Sequence, residues 1–394
     1  MRSAITVAAL LLVSFVVTTA QQPAVPTVPR TVPGPATADP ALFDFEPVTP
    51  IGAPAHPLSA ADSAAVTRLS FAVYGDTRSG AVGDGTVVHP IHTAVMDTML
   101  ATIKARQQSE YPVRFVLQTG DAVLRGTAAR MWNVSYTPII DRLTTGADIP
   151  YFLTAGNHDV AAAPPGDPVR QLGLHNMLTA MSRLIPAEGT PYRLNGYATY
   201  AFGYGNVFVI AFDTTIASDP LQLAWVTHVL EQLDRRRFPI VIAFQHYPPY
   251  SSGPHGAVIE PQTLAVRNSY MPLFRRHHVR LVLAGHEHLF EHWVERYTDG
   301  GREYRMDTLV TAGGGAPIYT YRGEPDLTAY LAAGAAQNVR LEHLVIPGRT
   351  TPENPNHFLV VEVNGDRLSV EAVARENAPF TPYNGSARTD LGGP

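Results

Sequence analysis

Residues 149–159 read IPYFLTAGNHD. A short apolar run up to Leu153 meets a small-residue turn, and then an amide, an imidazole and a carboxylate follow in succession at Asn157, His158 and Asp159. The run is too short for a helix and lacks polar alternation, so it predicts a strand buried on both faces of a sheet. Residues just past such a strand are delivered to the carboxyl end of the sheet, where layered α/β domains gather their ligands.

Four other segments repeat this design. LSFAVYGDTR (69–78) ends in Asp76 and Arg78, VRFVLQTGD (113–121) in Asp121, PIVIAFQHYPP (239–249) in His246, and VRLVLAGHEH (279–288) in His286 and His288. Helical spacing lies between them, in HTAVMDTMLATIKAR (92–106), in LQLAWVTHVLEQLDRR (221–236) and over 268–278. YATYAFG and VFVIAFD read as a hairpin about Gly203–Asn206, FLVVEVNGDRLSVEAV (358–373) reads as another, and DTLVTAGGGAPIY (307–319) is a strand ending in a glycine turn. Apolar strands with helices between them predict one layered α/β domain over 67–375 rather than two domains.

The bulk composition narrows the chemistry. The formal net charge is −5, and the densest basic cluster is Arg235-Arg236-Arg237 beside a helix end, which reads as a solvated face. No duplex nucleic acid is expected as a partner. A small anionic substrate is still compatible, because bound cations supply positive field locally. The chain has no cysteine, which removes thiol nucleophiles, iron–sulfur clusters, cysteine zinc sites and disulfides.

The N-terminus reads as an export signal. Met1-Arg2 precedes the apolar stretch AALLLVSFVV (8–17), and Thr18-Thr19-Ala20 supplies small residues for cleavage near Ala20–Gln21. Residues 21–66 are rich in Pro and Ala and read as a linker or a tether draped on the domain, and 376–394 as a C-terminal tail. The expectation is a periplasmic or extracellular protein with no transmembrane anchor after signal cleavage. No obligate protein partner is evident.

Asp76, Asp121, Asn157, His246, His286 and His288 form a hard-to-borderline oxygen and nitrogen set, suited to Mn, Fe, Zn or Co. A glycine before a ligand lets the backbone turn sharply as it leaves its strand. Each fragment alone is weak, since a lone His at a strand end is commonly just packed. The recurrence of the pattern in sequence is what points to a metal site.

The ordered motifs GD, GD, GNH, H and GHxH over about 70–375 resemble those of the calcineurin-like metallophosphoesterases. FGYGNVFVIAFD, QLAW, HYPPYSSGPHG and TAGGGAPIY resemble the purple-acid-phosphatase-related bacterial branch. The resemblance implies a four-layer fold, a central β-sandwich of mixed sheets flanked by helices. It implies an exported hydrolase of phosphate esters that uses two metal ions (Mn, Fe or Zn) and metal-activated water on a small phosphorylated substrate. Phosphomonoesters are slightly preferred over phosphodiesters. By matching positions, Asp121 would bridge the metals, Asp76 and His288 would bind the first, and Asn157, His246 and His286 the second. His158 would lie near the leaving group, with Asp159 orienting or polarising it.

Two positions depart from that pattern. Where many relatives have His, this chain has Arg78, which has no lone pair to offer a metal. Water, His89 or His92 could fill the gap. Arg78 could hold substrate phosphate, or it could form a salt bridge to a ligand Asp or the nearby loop. Where purple enzymes have a metal-binding Tyr, this chain has Leu124, so a colourless enzyme is expected. His255 could reach substrate or donate a proton, or could cap a turn; Tyr247 and Tyr250 could form a wall; His175 and Asn176 are candidate rim residues. The TAGGGA stretch (311–316) is expected to form a tight turn near the site. Two rival classes are a noncatalytic secreted binding protein with a modified metal site, and a serine hydrolase built from Ser251, His246 and Asp213, for which no G-x-S-x-G elbow exists.

Overall fold

The computed structural model describes residues 46–79, 87–255, 260–320, 327–346 and 354–392. The expected signal segment and the linker up to residue 45 lie outside the described residues. Along the chain the strands are β1 (Arg68–Tyr74), β2 (Val113–Gln118), β3 (Tyr151–Leu153), β4 (Tyr200–Tyr204), β5 (Val207–Ala211), β6 (Ile240–Phe244) and β7 (Leu281–Ala284). They continue as β8 (Phe290–Asp299), β9 (Arg302–Thr311), β10 (Val339–Val345), β11 (His357–Asn364), β12 (Arg367–Ala374) and β13 (Arg388–Leu391).

These strands form two mixed sheets, ordered β13-β12-β11-β1-β2-β3 and β10-β8-β9-β7-β6-β5-β4. In the first, β1, β2 and β3 are parallel, with Tyr74 beside Gln118 and Gln118 beside Leu153. In the second, β5, β6, β7 and β9 are parallel, with Ala211 beside Phe244 and Phe244 beside Leu283. The parallel strands of each sheet therefore end level with one another, and the residues that follow them emerge along one edge. The antiparallel strands widen the sheets without contributing to that edge.

The sheets pack through a shared aromatic core. Phe152 of β3 stacks on Phe202 of β4 at 3.9 Å, and Phe115 of β2 meets Phe202 edge-on at 5.5 Å. Helices α1 (Pro90–Arg106), α2 (Thr137–Thr144) and α3 (Pro168–Ala180) add Met99, Ile140 and Met177 to the same core. Helix α4 (Pro220–Gln232) inserts Trp225 and Val226 into a second core behind β5 and β6. The result is the expected mixed α/β architecture of two central sheets flanked by helices. Burying this much aromatic and aliphatic surface, at about 25 cal/mol per Å², is the main term opposing chain entropy.

Helix starts follow from their caps. Asp167 accepts from the amide of Arg170 ahead of α3, and Asp219 accepts from those of Leu221 and Gln222 ahead of α4, with Pro168 and Pro220 in the first helical position. His89 does the same for α1, accepting from the amide of His92.

Several sequence expectations need correction. Strands β8 and β10 were not anticipated, because β8 buries Glu291, His292 and Glu295, which do not look like core residues in a linear reading. Each has a partner: Ser251 Oγ donates to Glu291 Oε2 at 2.7 Å, His292 Nε2 lies 2.7 Å from Asp307 Oδ1, and Arg275 Nη1 lies 2.7 Å from Glu295 Oε2. The expected boundaries at 67 and 375 fall inside packed structure. Ile51 is buried and its amide donates to the carbonyl of Ala180, while β13 pairs with β12 as an edge strand. Within the arginine cluster, Arg235 donates to the carbonyl of His277 and Arg237 to that of Ala60, so these two hold chain together rather than form a solvated face. Among the described residues, no helix is long and apolar enough to cross a membrane.

Candidate metal centre

The edge where both sheets end holds Asp76 after β1, Asp121 after β2, Asn157 after β3, His246 after β6, and His286 and His288 after β7. Asp76, Asp121 and His286 all have positive φ, at 56°, 53° and 71°. Left-handed backbone at non-glycine residues is costly and concentrates at functional sites. The strain thus falls mostly on these three candidate ligands rather than on the glycines before them. Gly156 serves a different need: a Cβ there would overlap the amide of Asp121, and only glycine lets the two loops touch.

The histidine hydrogen bonds decide what this edge can bind. His246 Nδ1 lies 2.8 Å from the Thr119 carbonyl, which can only accept. In the neutral ring Nδ1 therefore carries the hydrogen, and Nε2 presents a lone pair. That lone pair faces Asn157 Oδ1 at 2.9 Å and Asp121 Oδ1 at 3.4 Å. His286 is arranged the other way round. Its Nε2 donates to Glu260 Oε2 at 3.1 Å, leaving the Nδ1 lone pair 3.1 Å from the same Asn157 Oδ1. Burial, opposed by the bond to Glu260, lowers the pKa of His286 and favours this neutral form. Two imidazole lone pairs, an amide oxygen and a carboxylate oxygen thus face one another with no hydrogen among them, although Asp121 Oδ1 also accepts the backbone amide of His158. Such a donor set fits a cation.

A second position lies beside the first. His288 Nδ1 lies 2.7 Å from the Pro317 carbonyl, so its Nε2 presents a lone pair, 3.4 Å from Asp76 Oδ1. Asp76 Oδ1 is buried without a hydrogen-bond partner, while Oδ2 accepts from the amide of His286 at 3.0 Å. An orphaned carboxylate oxygen costs free energy unless something positive meets it. Asp121 joins the two positions: Oδ1 faces His246, and Oδ2 accepts from Arg78 Nε at 3.2 Å. Burial alone would raise the pKa of Asp121; attraction to His246 and His158 in their protonated forms, and to the permanent charge of Arg78, outweighs it and holds the carboxyl well below the usual range. Ligand atoms of Asp76, Asp121 and His246 lie within 4.8 Å of one another, as do those of His255, Glu260 and His286. These two clusters are consistent with a dinuclear metal site.

Of the two readings of Arg78, the structure contains the ion pair, with Asp121. Neither His89 nor His92 fills the gap beside it: His89 caps α1, and His92 Nε2 lies 3.1 Å from Tyr74 Oη. His158 is part-buried at the rim, its amide donating to Asp121 Oδ1 at 3.0 Å and its Nδ1 lying 2.8 Å from the Leu124 carbonyl. Asp159 does not orient it as expected. The Asp159 carboxylate accepts from the amides of Val123 and Gly156, both at 3.1 Å, and so braces the loops behind the site. His255 lies beyond His286, its ring 4.6 Å from that of His286 and its Nε2 3.1 Å from Tyr319 Oη.

Other candidates prove structural. Tyr247 packs on His286 at 4.2 Å, but Tyr250 is buried, donates to Glu295 and forms no wall. Asn176 is buried and donates to the Gly126 carbonyl, whereas His175 is exposed. Gly314 and Ala316 of the glycine turn donate to the carbonyls of Gly75 and Asp76, locking the turn against β1. No serine triad forms, because Ser251 donates to Glu291 and Asp213 pairs with Arg170. The sequence reading missed Glu260 and Tyr319, which stacks on His288 at 4.2 Å. Glu260 starts a short helix at Pro261 and carries no local signal for its role; Tyr319, three residues past the glycine turn, could have been sought there.

The family profile described as calcineurin-like phosphoesterase matches residues 69–290. The chain is 30% identical over 155 residues to a probable purple acid phosphatase 20 of Arabidopsis thaliana, covering 38% of this chain and 34% of that one. It is 24% identical over 194 residues to a phosphoenolpyruvate phosphatase of Allium cepa, covering 48% and 36%. The chain thus spans about a third of the length of these curated relatives. Among solved structures, purple acid phosphatase PPD1 from yellow lupin (Lupinus luteus) seeds superposes with a TM-score of 0.56 at 15% identity, covering 84% of this chain and 54% of that one.

Proposed function

The chain belongs to the calcineurin-like phosphoesterase family, and on that footing we propose that it is an exported, metal-dependent hydrolase of phosphate esters, with monoesters preferred. The observation that carries this reading is the convergence of imidazole lone pairs on Asn157 Oδ1 and Asp121 Oδ1, beside the unpartnered Asp76 Oδ1. Asn157, His246 and His286 would hold one ion, Asp76 and His288 the other, and Asp121 would serve both. When bound, two such ions draw charge from phosphoryl oxygens and make water a better nucleophile near neutral pH.

The chain's own residues supply the rest. His158 has its Nδ1 committed to the Leu124 carbonyl, so a proton passed to a leaving oxygen would come from Nε2 of the imidazolium form. The guanidinium of Arg78 can turn from Asp121 to a phosphate oxygen at small cost, since both partners are anionic acceptors. His255 can supply a second proton donor at the outer edge, although burial lowers its pKa and confines that role to acidic pH. The preference for monoesters rests on the likeness to acid phosphatases, and export rests on residues 1–20. Leu124 provides no phenolate, so the iron-loaded protein would lack a charge-transfer colour.

The test is hydrolysis of a generic phosphomonoester and a generic phosphodiester by the chain after chelation and after Mn, Zn or Fe is returned, with bound metal counted. Restored monoester turnover supports the proposal. Preference for the diester would make the protein a phosphodiesterase of similar mechanism. A folded chain that binds no metal would overturn it.

A further inference from the structure

Arg78 stands where a cation is wanted. Its Nε lies 3.2 Å from Asp121 Oδ2 and its Nη2 3.5 Å from the lone-pair nitrogen of His288. These are two of the three side chains that define the first metal position. The third, Asp76, keeps Oδ1 buried and unpartnered, 3.4 Å from the same His288 nitrogen. The guanidinium therefore does part of an ion's work and leaves part undone. The other position is free of this competition, because Asn157, His246 and His286 face one another with no cationic side chain between them.

We infer that the two metal positions are unequal: Arg78 is a resident cation that competes with metal for the Asp76–Asp121–His288 position, so the chain holds one ion tightly and a second only when Arg78 swings away. The inference rests on the two-metal reading above. A dication entering beside Arg78 meets a fixed positive charge at contact distance in a site with little water to screen it. It must also take Asp121 Oδ2 and the His288 lone pair from the guanidinium. Side chains at this position are well shielded, with Arg78 14%, Asp121 2% and His288 2% exposed. Arg78 would thus link occupancy of the first position to any anion that draws the guanidinium outward.

The test is a Mn titration of the metal-free full chain, with bound ions counted and the spin-coupled signal of a metal pair followed by electron paramagnetic resonance. The unsubstituted chain is expected to take one ion, with the second weaker by at least about a hundredfold and no pair signal at one equivalent. Arg78→Gln, which keeps bulk but not charge, and Arg78→Ala should bring the two affinities within about tenfold and give the pair signal near two equivalents. Two ions of equal affinity in the unsubstituted chain would overturn the inference while leaving the two-metal reading intact. So would an affinity gap unchanged in both variants. Failure of all three proteins to bind any ion would overturn both readings.

Discussion

The Nε2 of His286 sits 3.1 Å from Glu260 Oε2, and this bond fixes which nitrogen of the ring faces Asn157. A carboxylate behind a metal-binding imidazole also makes it more basic. Glu260→Ala is therefore expected to weaken metal affinity by about 10–100-fold, with Glu260→Gln in between because it keeps an acceptor without the charge. Competition against a chelator of known affinity measures the change. An unaltered affinity in Glu260→Ala would remove Glu260 from the site.

His158 touches Asp121 through its backbone amide, while its ring is anchored on the Leu124 carbonyl. On the proposed function its side chain is therefore expected to be dispensable for metal binding but needed for proton delivery. His158→Ala should retain the counted metal and lose about 10²–10⁴-fold in kcat, least for esters with good leaving groups. Loss of metal in parallel with activity would instead make the ring a ligand.

Glu287, between the two histidines of GHEH, has its carboxyl pushed up from 4.5 to about 9 by burial and then by the charges of Glu291 and Glu260. One oxygen accepts from the amide of His255; the other is buried without a partner. The folded metal-free chain holds a proton here that the unfolded chain releases above about pH 4.5, so this contribution to stability is complete below that pH and lost as pH rises toward 9. In chelator, Glu287→Gln should match the unsubstituted chain in Tm near pH 4 and exceed it increasingly up to pH 9. A difference in Tm that does not vary with pH would contradict this.

Arg170 and Asp213 form a fully buried ion pair at 2.6 Å, with Thr215 bonded to both. The next residue, Thr214, accepts the amides of His246 and Tyr247 on its hydroxyl. Arg170→Met leaves Asp213 an uncompensated buried charge and should cost about 3–5 kcal/mol in urea unfolding. Replacing both by apolar residues should recover most of that loss. A single variant as stable as the parent would mean that water or another donor replaces the guanidinium.

Much of this protein is legible in its sequence. The apolar strands, their abrupt polar ends and the order of the ligand residues are local properties, written into consecutive residues by burial and by the turn that follows each strand. Asp76, Asp121, Asn157, His246, His286 and His288 could all be named from that pattern. Strand β8 could not, because Glu291, His292 and Glu295 become core residues only once Ser251, Asp307 and Arg275 arrive from other segments to pair with them. The same holds at the metal centre. Which nitrogen of each histidine carries a lone pair depends on Thr119, Glu260 and Pro317, and whether Arg78 meets substrate or Asp121 depends on the registry of β1 with β2. The sequence by itself determined which chemical groups reach the sheet edge. Only the tertiary structure decided how they are protonated, paired and shared, because hydrogen bonds and charges act through space between segments that the chain keeps far apart.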